Sequence, residues 1–222
     1  YEEVINDRLS IYHTPNESGK NTFAEDITIG FKAKKKFILP KYFYDEKGSQ
    51  LFEKICTTPE YYVTRTEASI LKEYSDEIAE SNSDKRIIVE LGSGSSIKTR
   101  FILNAFLRLT GNITYMPVDV SAIMIESSKR LLDEFEGLGI KGTIGEYLDA
   151  LEIIEETVKE PKMIVFLGSS IGNFDLPHAE DFMRKISGGM NNGDTLLIGF
   201  DLVKDISVLN SAYNDIGSVT AE

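Results

Sequence analysis

The chain has 222 residues, of which 41% are hydrophobic and 27% charged, and its 36 acidic and 24 basic residues give a net charge of −12. This composition is ordinary for one globular domain, or one domain with a smaller one, and no apolar run approaches the roughly 20 residues that a membrane-spanning helix needs. The negative charge disfavours nucleic acid as a partner and favours a small-molecule ligand. We therefore expect neither a nucleic-acid nor a membrane partner.

The chain contains one cysteine and two histidines. A single Cys56 excludes an internal disulfide and favours a reducing compartment, so we expect a cytoplasmic protein. We also expect a monomer. A half-buried structural thiol is favoured over a reactive one. His13 and His178 are too few for a His-rich metal site, and no Cys/His cluster has zinc spacing, so no metal is expected.

Residues 1–80 are predicted to form a helical segment that acts as a lid. Within it, residues 14–23 are rich in turn formers and predict a loop. Residues 48–80 show helical periodicity that is interrupted at Pro59, which predicts two helices. A polar connector over 81–85 then leads into a different pattern.

The rest of the chain alternates between two periodicities. Apolar and β-branched runs predict strands over residues 87–92, 113–121, 140–147, 162–170 and 194–202. Amphipathic runs predict helices over residues 98–109, 122–135, 149–159, 176–190 and 204–216. Alternating strands and helices predict an α/β, doubly wound and mostly parallel sheet with right-handed crossovers. We assign this Rossmann-like core to residues 81–203, and residues 204–222 to the start of a substrate-binding domain.

The turn after the first predicted core strand indicates a nucleoside ligand. Gly92 and Gly94 permit a tight turn and a close approach of the backbone to a ligand. Asp119, at the end of the next predicted strand, can accept hydrogen bonds from both hydroxyls of a ribose. A dinucleotide fingerprint would place its third glycine at position 97, where this chain has Ile97. The pattern favours S-adenosylmethionine over NAD as the cofactor. A nicotinamide dehydrogenase is the least favoured alternative.

Two further strand ends carry candidate binding residues. Glu146 and Tyr147 follow the third core strand, where an acid beside an aromatic ring can bind the adenine amine and cover its ring. A surface glutamate next to a packed tyrosine explains the same residues equally well. Asn173 follows the fourth core strand, where a substrate would meet the cofactor, although asparagine is also a common turn former.

Five segments together resemble the histidine-specific Nα-methyltransferases of ergothioneine biosynthesis. They are PKYFYDEKGSQLFEKICTTPEYYVTRTEASIL (40–71), VELGSGSSIKTR (89–100), YMPVDVS (115–121), FLGSSIGNF (166–174) and GFDLVKDISVLNSAYNDIGSVTAE (199–222). The resemblance covers about residues 37–222. It implies a class I S-adenosylmethionine-dependent N-methyltransferase that trimethylates the α-amine of L-histidine to hercynine. It also implies that the last strands and the segment that recognises imidazole lie beyond residue 222.

The resemblance implies cofactor contacts at matching positions. Gly92, Lys98 and Asp119 fall where the family binds S-adenosylmethionine. Glu146 and Tyr147 take the place of the family's adenine-binding Asp-Phe pair, and this departure keeps both the acid and the aromatic ring.

The resemblance also implies the residues that hold the acceptor. Tyr44 lies near the methionine part of the cofactor and the substrate amine. Gly168, Asn173 and Tyr213 match contacts to the substrate amine and carboxylate. Tyr62 matches a lid tyrosine over the substrate side chain, and its neighbour Tyr61 is a near-equal candidate. Tyr44 and Asn173 are the predicted catalytic residues because they would orient the amine without a dedicated base.

Two further alternatives stay open beside the nicotinamide dehydrogenase. Relatives that methylate prenylated tryptophan in the ergot pathway share the same framework, so the acceptor could be a tryptophan derivative or another small amine. A binding module that retains the cofactor but is catalytically silent is the alternative outside the enzyme class.

Overall fold

The computed structural model describes residues 1–14 and 22–222, and residues 15–21 of the predicted loop lie outside the described residues. The strands are β1 (Glu2–Asn6), β2 (Leu9–His13), β3 (Ile87–Leu91), β4 (Ile113–Asp119), β5 (Leu138–Ile144), β6 (Lys162–Phe166) and β7 (Thr195–Ile198). The helices are α1 (Phe23–Lys32), α2 (Glu46–Thr57), α3 (Tyr62–Ser81), α4 (Thr99–Thr110), α5 (Ile123–Glu134), α6 (Tyr147–Thr157), α7 (Leu176–Gly189) and α8 (Ile206–Ala212).

The described strands form one seven-stranded sheet in the order β1-β2-β5-β4-β3-β6-β7. Only β1 and β2 pair antiparallel, and every other neighbouring pair is parallel. The chain builds outwards from β3 through β4 to β5 and then returns to place β6 on the other side of β3. This reversal of strand order opens a crevice at the carboxyl ends of β3 and β6. The predicted doubly wound α/β class is confirmed.

Helices cover both faces of the sheet because the central strands are apolar on both sides. On one face, Ile88 of β3 packs with Leu71 of α3, Phe106 of α4 and Met124 of α5. On the opposite face, neighbouring strand residues pack against α6 and α7 in a second core cluster. The two clusters hold the carboxyl ends of the strands in a fixed arrangement, and the loops that follow those ends form the candidate site.

The N-terminal hairpin is an element that the predicted helical segment over 1–80 did not include. β2 pairs parallel with β5, and β1 pairs antiparallel with β2. Leu9 and Ile11 are buried against the sheet, whereas the whole of β1 is exposed. The alternation of apolar residues in β2 is the period-2 signal of a half-buried strand, but it is only five residues long. The domain boundaries at 80/81 and 203/204 stay predictions.

The predicted core elements lie where the sequence places them, but several strands end earlier. The predicted strand over 162–170 ends at Phe166, because Gly168 and Ser169 adopt left-handed φ angles of 79° and 57°. The predicted strand over 194–202 likewise ends at Ile198. The residues beyond these ends form loops at the crevice. Within the described ranges, none of the helices combines the length and apolar character needed to cross a bilayer.

A buried ion pair fixes the start of β6. The Lys162 Nζ lies 2.6 Å from the Asp194 carboxylate, and both side chains are fully buried. The same carboxylate accepts hydrogen bonds from the backbone N–H groups of Lys162 and Asn191, at 2.9 and 2.8 Å. Removing one member of such a pair leaves the other charge buried without compensation.

We expect Asp194→Ala to lower the free energy of unfolding by roughly 3–5 kcal/mol, because it strands the Lys162 ammonium in the interior. Urea denaturation measures this change. The matched control is Asp181→Ala, which removes an exposed carboxylate paired with Lys185 on α7 and should leave the free energy of unfolding nearly unchanged, because solvent screens such surface pairs. Equal losses for the two variants would contradict a structural role for the buried pair.

Candidate functional site

The glycine turn after β3 is held against the end of β4. The N–H groups of Gly92 and Ser93 both donate to the Val118 carbonyl oxygen, at 2.8 and 3.2 Å. Gly92 and Gly94 have φ angles of 76° and 48°, in the left-handed region that favours glycine. A Cβ at Gly92 would lie 2.9 Å from the Tyr147 hydroxyl, whereas the space beside Gly94 is open. The turn therefore requires glycine at Gly92 and leaves room for a ligand at Gly94.

Asp119 ties the glycine turn to the loop after β4. Its Oδ2 accepts from the Gly94 N–H at 2.8 Å, and its Oδ1 accepts from the Ser121 N–H at 2.8 Å. Burial raises the pKa of Asp119, and these backbone hydrogen bonds oppose that rise. Each oxygen retains a lone pair, so the carboxylate can hold the turn and still accept from a ligand hydroxyl.

Ser93 is a polar residue of this turn that sequence reasoning did not select. Its Oγ is buried and has no hydrogen-bond partner among the described residues. A buried hydroxyl without a partner is costly, so a polar ligand beside the turn would satisfy it. Its position between two glycines after a buried strand is a signal that could have identified it. The turn thus fits a nucleoside-bearing cofactor such as S-adenosylmethionine.

Lys98 follows the glycine turn, just before α4. Its side chain lies close to α3 and to the loop after β6. Its Nζ forms an ion pair with the Glu67 carboxylate of α3. Both oxygens of Glu67 lie 2.9 Å from the Gly168 N–H that donates to them. The structure thus brings Lys98 and Gly168 together through Glu67. Sequence reasoning missed Glu67, because an acidic residue on an amphipathic helix carries no local signal of a site.

Aromatic side chains from the N-terminal segment and from the residue after α8 form a second wall. The Phe52 ring makes edge-to-face contacts with Tyr44 and Tyr61, with ring centroids 5.8 and 6.1 Å apart. The Tyr61 ring in turn contacts Tyr213 edge-to-face, with centroids 5.7 Å apart. Burial raises the pKa of Tyr44, and the nearby charge of Asp119 raises it further. Tyr44 thus belongs to the aromatic wall and also lies within electrostatic reach of Asp119 at the end of β4.

The neighbouring Tyr61 and Tyr62 have different surroundings. The Tyr61 ring is buried against Tyr213, and burial raises its pKa well above the usual value. The Tyr62 hydroxyl donates to Asp201, and the Lys204 ammonium lies 4.1 Å from the Tyr62 ring centroid. Tyr61 is thus the tyrosine that contacts Tyr213, whereas Tyr62 binds the segment after β7.

Glu146 and Tyr147 follow β5 but face different neighbours. The Glu146 carboxylate pairs with Lys41 Nζ at 3.2 Å, which connects the N-terminal segment to this loop. The Tyr147 ring packs 5.7 Å from Phe166 and 6.2 Å from Phe182, and burial raises its pKa. Tyr147 is therefore a packed residue whose hydroxyl faces Gly92, whereas Glu146 is a partly exposed acid beside the N-terminal segment.

Asn173 ends a short 3₁₀ turn, Ser170–Asn173, at the carboxyl edge of β6. Its side chain is exposed, and so is that of Tyr213, which is 55% accessible. Asn173 thus lies at the carboxyl edge of β6, whereas Tyr213 is connected to the aromatic wall through Tyr61. Among the described residues, no group of His, Cys, Asp or Glu side chains is arranged to hold a metal ion.

A buried carboxyl group supports the glycine turn from below. Glu90, the fourth residue of β3, accepts hydrogen bonds from the hydroxyls of Thr99 and Tyr115. The Ser96 hydroxyl is in turn 3.0 Å from that of Tyr115. Burial raises the pKa of Glu90 to about 7, although the hydrogen bonds and Lys98 oppose the rise. The network connects the turn to the start of α4 and the middle of β4.

Comparison with known proteins agrees with this geometry. Residues 23–222 match the family model described as histidine-specific methyltransferase, SAM-dependent. A histidine N-alpha-methyltransferase from Mycobacterium tuberculosis is 39% identical over 212 residues, covering 95% of this chain and 65% of that protein. The histidine N-alpha-methyltransferase from Mycolicibacterium smegmatis is also 39% identical, over 92% of this chain and 63% of its own length. The chain therefore spans somewhat less than two thirds of these curated relatives.

A solved structure supports the fold. A DUF574 family protein from Streptomyces avermitilis superposes with a TM-score of 0.50 at 14% identity, covering 78% of this chain and 66% of that one. At this identity the likeness concerns the fold alone.

We expect the stability of the protein to fall as pH rises through the Glu90 titration. The folded state keeps the proton up to about pH 7, whereas the unfolded state loses it near the ordinary value of 4.5. Between about pH 5.5 and 8 this difference costs the fold roughly 2 kcal/mol, and the loss is nearly complete above the folded pKa. Glu90→Gln, which is neutral throughout, should lack this loss.

Urea denaturation of both proteins at pH 5.5 and 8 measures the difference. Glu73→Gln removes a carboxylate from the exposed face of α3 and serves as the matched control, since it should retain the wild-type pH dependence. Parallel pH dependences for wild type and Glu90→Gln would show that Glu90 does not titrate in this range.

Proposed function

Because this chain belongs to the family of histidine-specific, S-adenosylmethionine-dependent methyltransferases, we propose that its protein methylates the α-amine of L-histidine. The observation that carries the proposal is the crevice at the ends of β3 and β6. There, a glycine turn tied to Asp119 lies beside the Lys98–Glu67–Gly168 bridge. The side formed by the loops after β3 and β4 suits a nucleoside, and the side formed by the loop after β6 suits an amino acid.

We assign the cofactor to the β3–β4 side of the crevice. Gly92 and Gly94 bring the backbone close to it, Asp119 accepts from the ribose hydroxyls, and Lys98 pairs with its carboxylate. Glu146 and Tyr147 border the adenine, and the Ser93 Oγ gains a hydrogen-bond partner. Bound there, S-adenosylmethionine supplies an electrophilic methyl group on a sulfonium.

The chain's own contribution to the chemistry is to hold the amine in line with that methyl group. Proximity and orientation of two reactants can lower a barrier by roughly 7–11 kcal/mol. A free α-amine has a pKa of about 8, so the attacking neutral form is accessible at physiological pH. Tyr44 and Asn173 orient its lone pair, and Gly168 and Tyr213 bind the amino-acid backbone. No dedicated general base is required.

Tyr62 is assigned to the lid over the substrate side chain. Its hydrogen bond to Asp201 joins α3 to the segment after β7, so the lid and that segment would move together. Tyr61 packs on Tyr213 and would thereby hold the Tyr213 ring in place beside the bound amino acid.

The protein is further proposed to be a monomeric cytoplasmic enzyme without a nucleic-acid partner. Cys56 is a free, half-buried thiol whose pKa is raised by burial, as suits an unreactive thiol in a reducing compartment. The net charge of −12 would repel a nucleic acid.

The proposal is tested by incubating the full-length protein with S-adenosylmethionine and a panel of amino acids that includes tryptophan derivatives. We expect histidine to gain up to three methyl groups, read by mass spectrometry. Methylation of a tryptophan derivative in preference to histidine would overturn the acceptor assignment. Binding of S-adenosylhomocysteine without any methylated product would overturn the enzyme assignment in favour of a silent binding module.

A second test separates the two halves of the site. Asn173→Ala in the full-length protein should weaken histidine binding by about tenfold or more, because a hydrogen bond to a charged ligand is lost. The affinity for S-adenosylhomocysteine should stay unchanged, and calorimetry measures both. Asn104→Ala, on the exposed side of α4, is the matched control. Wild-type histidine affinity in Asn173→Ala would contradict the assignment of Asn173 to the acceptor.

A further inference from the structure

Glu67 lies where three parts of the crevice meet. It belongs to α3, ion-pairs with Lys98 at the end of the glycine turn, and accepts from the Gly168 N–H after β6. The chain after β7 also passes directly beside it, because a Cβ at Gly199 would collide with the Glu67 Oε1. The Glu67 side chain is only 13% exposed and that of Lys98 only 20%. Glu67 is thus a largely buried residue of α3 that contacts the end of the glycine turn, the loop after β6 and the chain after β7.

We propose that Glu67 is a positioning residue that sets the distance and angle between the cofactor and the methyl acceptor. This inference rests on the proposed function, in which Lys98 holds the cofactor and Gly168 contacts the acceptor. Glu67 touches neither ligand in this role. It acts through the two groups that do, because one carboxylate fixes both the Lys98 ammonium and the Gly168 peptide.

The donor geometry supports such a shared role. An ammonium has three hydrogens, so Lys98 can bind Glu67 and still donate to an anionic ligand. The Gly168 N–H is directed at the two carboxylate oxygens, at 2.9 Å each, which fixes the orientation of that peptide. Gly168 has a φ of 79°, and with no Cβ its backbone would otherwise have wide freedom. The carboxylate removes that freedom at the point where the acceptor is expected.

Glu67 also couples the site to the tyrosines that begin α3. Tyr62 precedes it by five residues, about one and a half helical turns. The same helix therefore carries the lid tyrosine and the anchor that connects it to the strand ends. Movement of α3 relative to the sheet would draw the Glu67 carboxylate away from the Lys98 ammonium and the Gly168 N–H, and small misplacements of reacting groups can lower rates by about a hundredfold.

Glu67→Gln tests this role in the full-length protein. The glutamine amide oxygen can still accept from the Gly168 N–H, but the charge that holds Lys98 is lost. We expect kcat for histidine methylation to fall by about tenfold or more, while the KM for histidine and the Kd for S-adenosylhomocysteine stay within about threefold. Turnover is expressed per site titrated with S-adenosylhomocysteine, so that misfolded protein does not count. Glu73→Gln on the same helix is the matched control and should keep wild-type kcat.

Glu67→Asp is the second variant. It retains the charge but is one methylene shorter, so it cannot reach both Lys98 and Gly168, and we expect kcat to fall for it also. It remains informative if Glu67→Gln folds poorly. A wild-type kcat per titrated site in either folded variant overturns the inference, even if thermal stability falls, since that result assigns Glu67 a purely structural role. If the wild-type protein itself binds no S-adenosylhomocysteine or methylates no histidine, it is the proposed function that fails.

Discussion

The reversal of strand order between β3 and β6 is the constraint on which the rest of the site depends. Because β4 lies on one side of β3 and β6 on the other, the loops after these strands diverge and leave a crevice between them. Everything assigned to the cofactor follows β3, β4 or β5, whereas Gly168 and Asn173 follow β6. In the proposed function, the cofactor and the acceptor would therefore meet where these connections separate.

Three carboxyl groups stabilise the walls of that crevice, each in a different way. Asp119 accepts from two backbone N–H groups, Glu90 accepts from two hydroxyls, and Glu67 pairs with a lysine and a backbone N–H. A carboxylate removed from water needs compensating donors, so each of these groups fixes the loops that supply them. The loops are thereby organised before any ligand binds, which suits a reaction that depends on orientation.

The fold was largely predictable because it depends on local periodicity. Buried parallel strands are continuous apolar runs and the covering helices are amphipathic, so the core elements and the glycine turn could be located in the sequence. The errors lie at the carboxyl ends of strands, where residues such as Leu167 and Phe200 continue an apolar pattern into loops. The β1–β2 hairpin was missed because β1 is wholly exposed and only Leu9 and Ile11 of β2 reach the core.

The sequence by itself determined the order of the core strands and helices from β3 to α8, the turn at Gly92 and Gly94, and the acidic residue that ends the next strand. These features are encoded within short windows, where backbone conformation and burial depend on neighbouring residues. Only the tertiary structure decided that Tyr61 rather than Tyr62 packs on Tyr213, and that Glu67 joins Lys98 to Gly168. Those contacts connect residues far apart in the chain, and their partners are chosen by how α3 packs across the sheet.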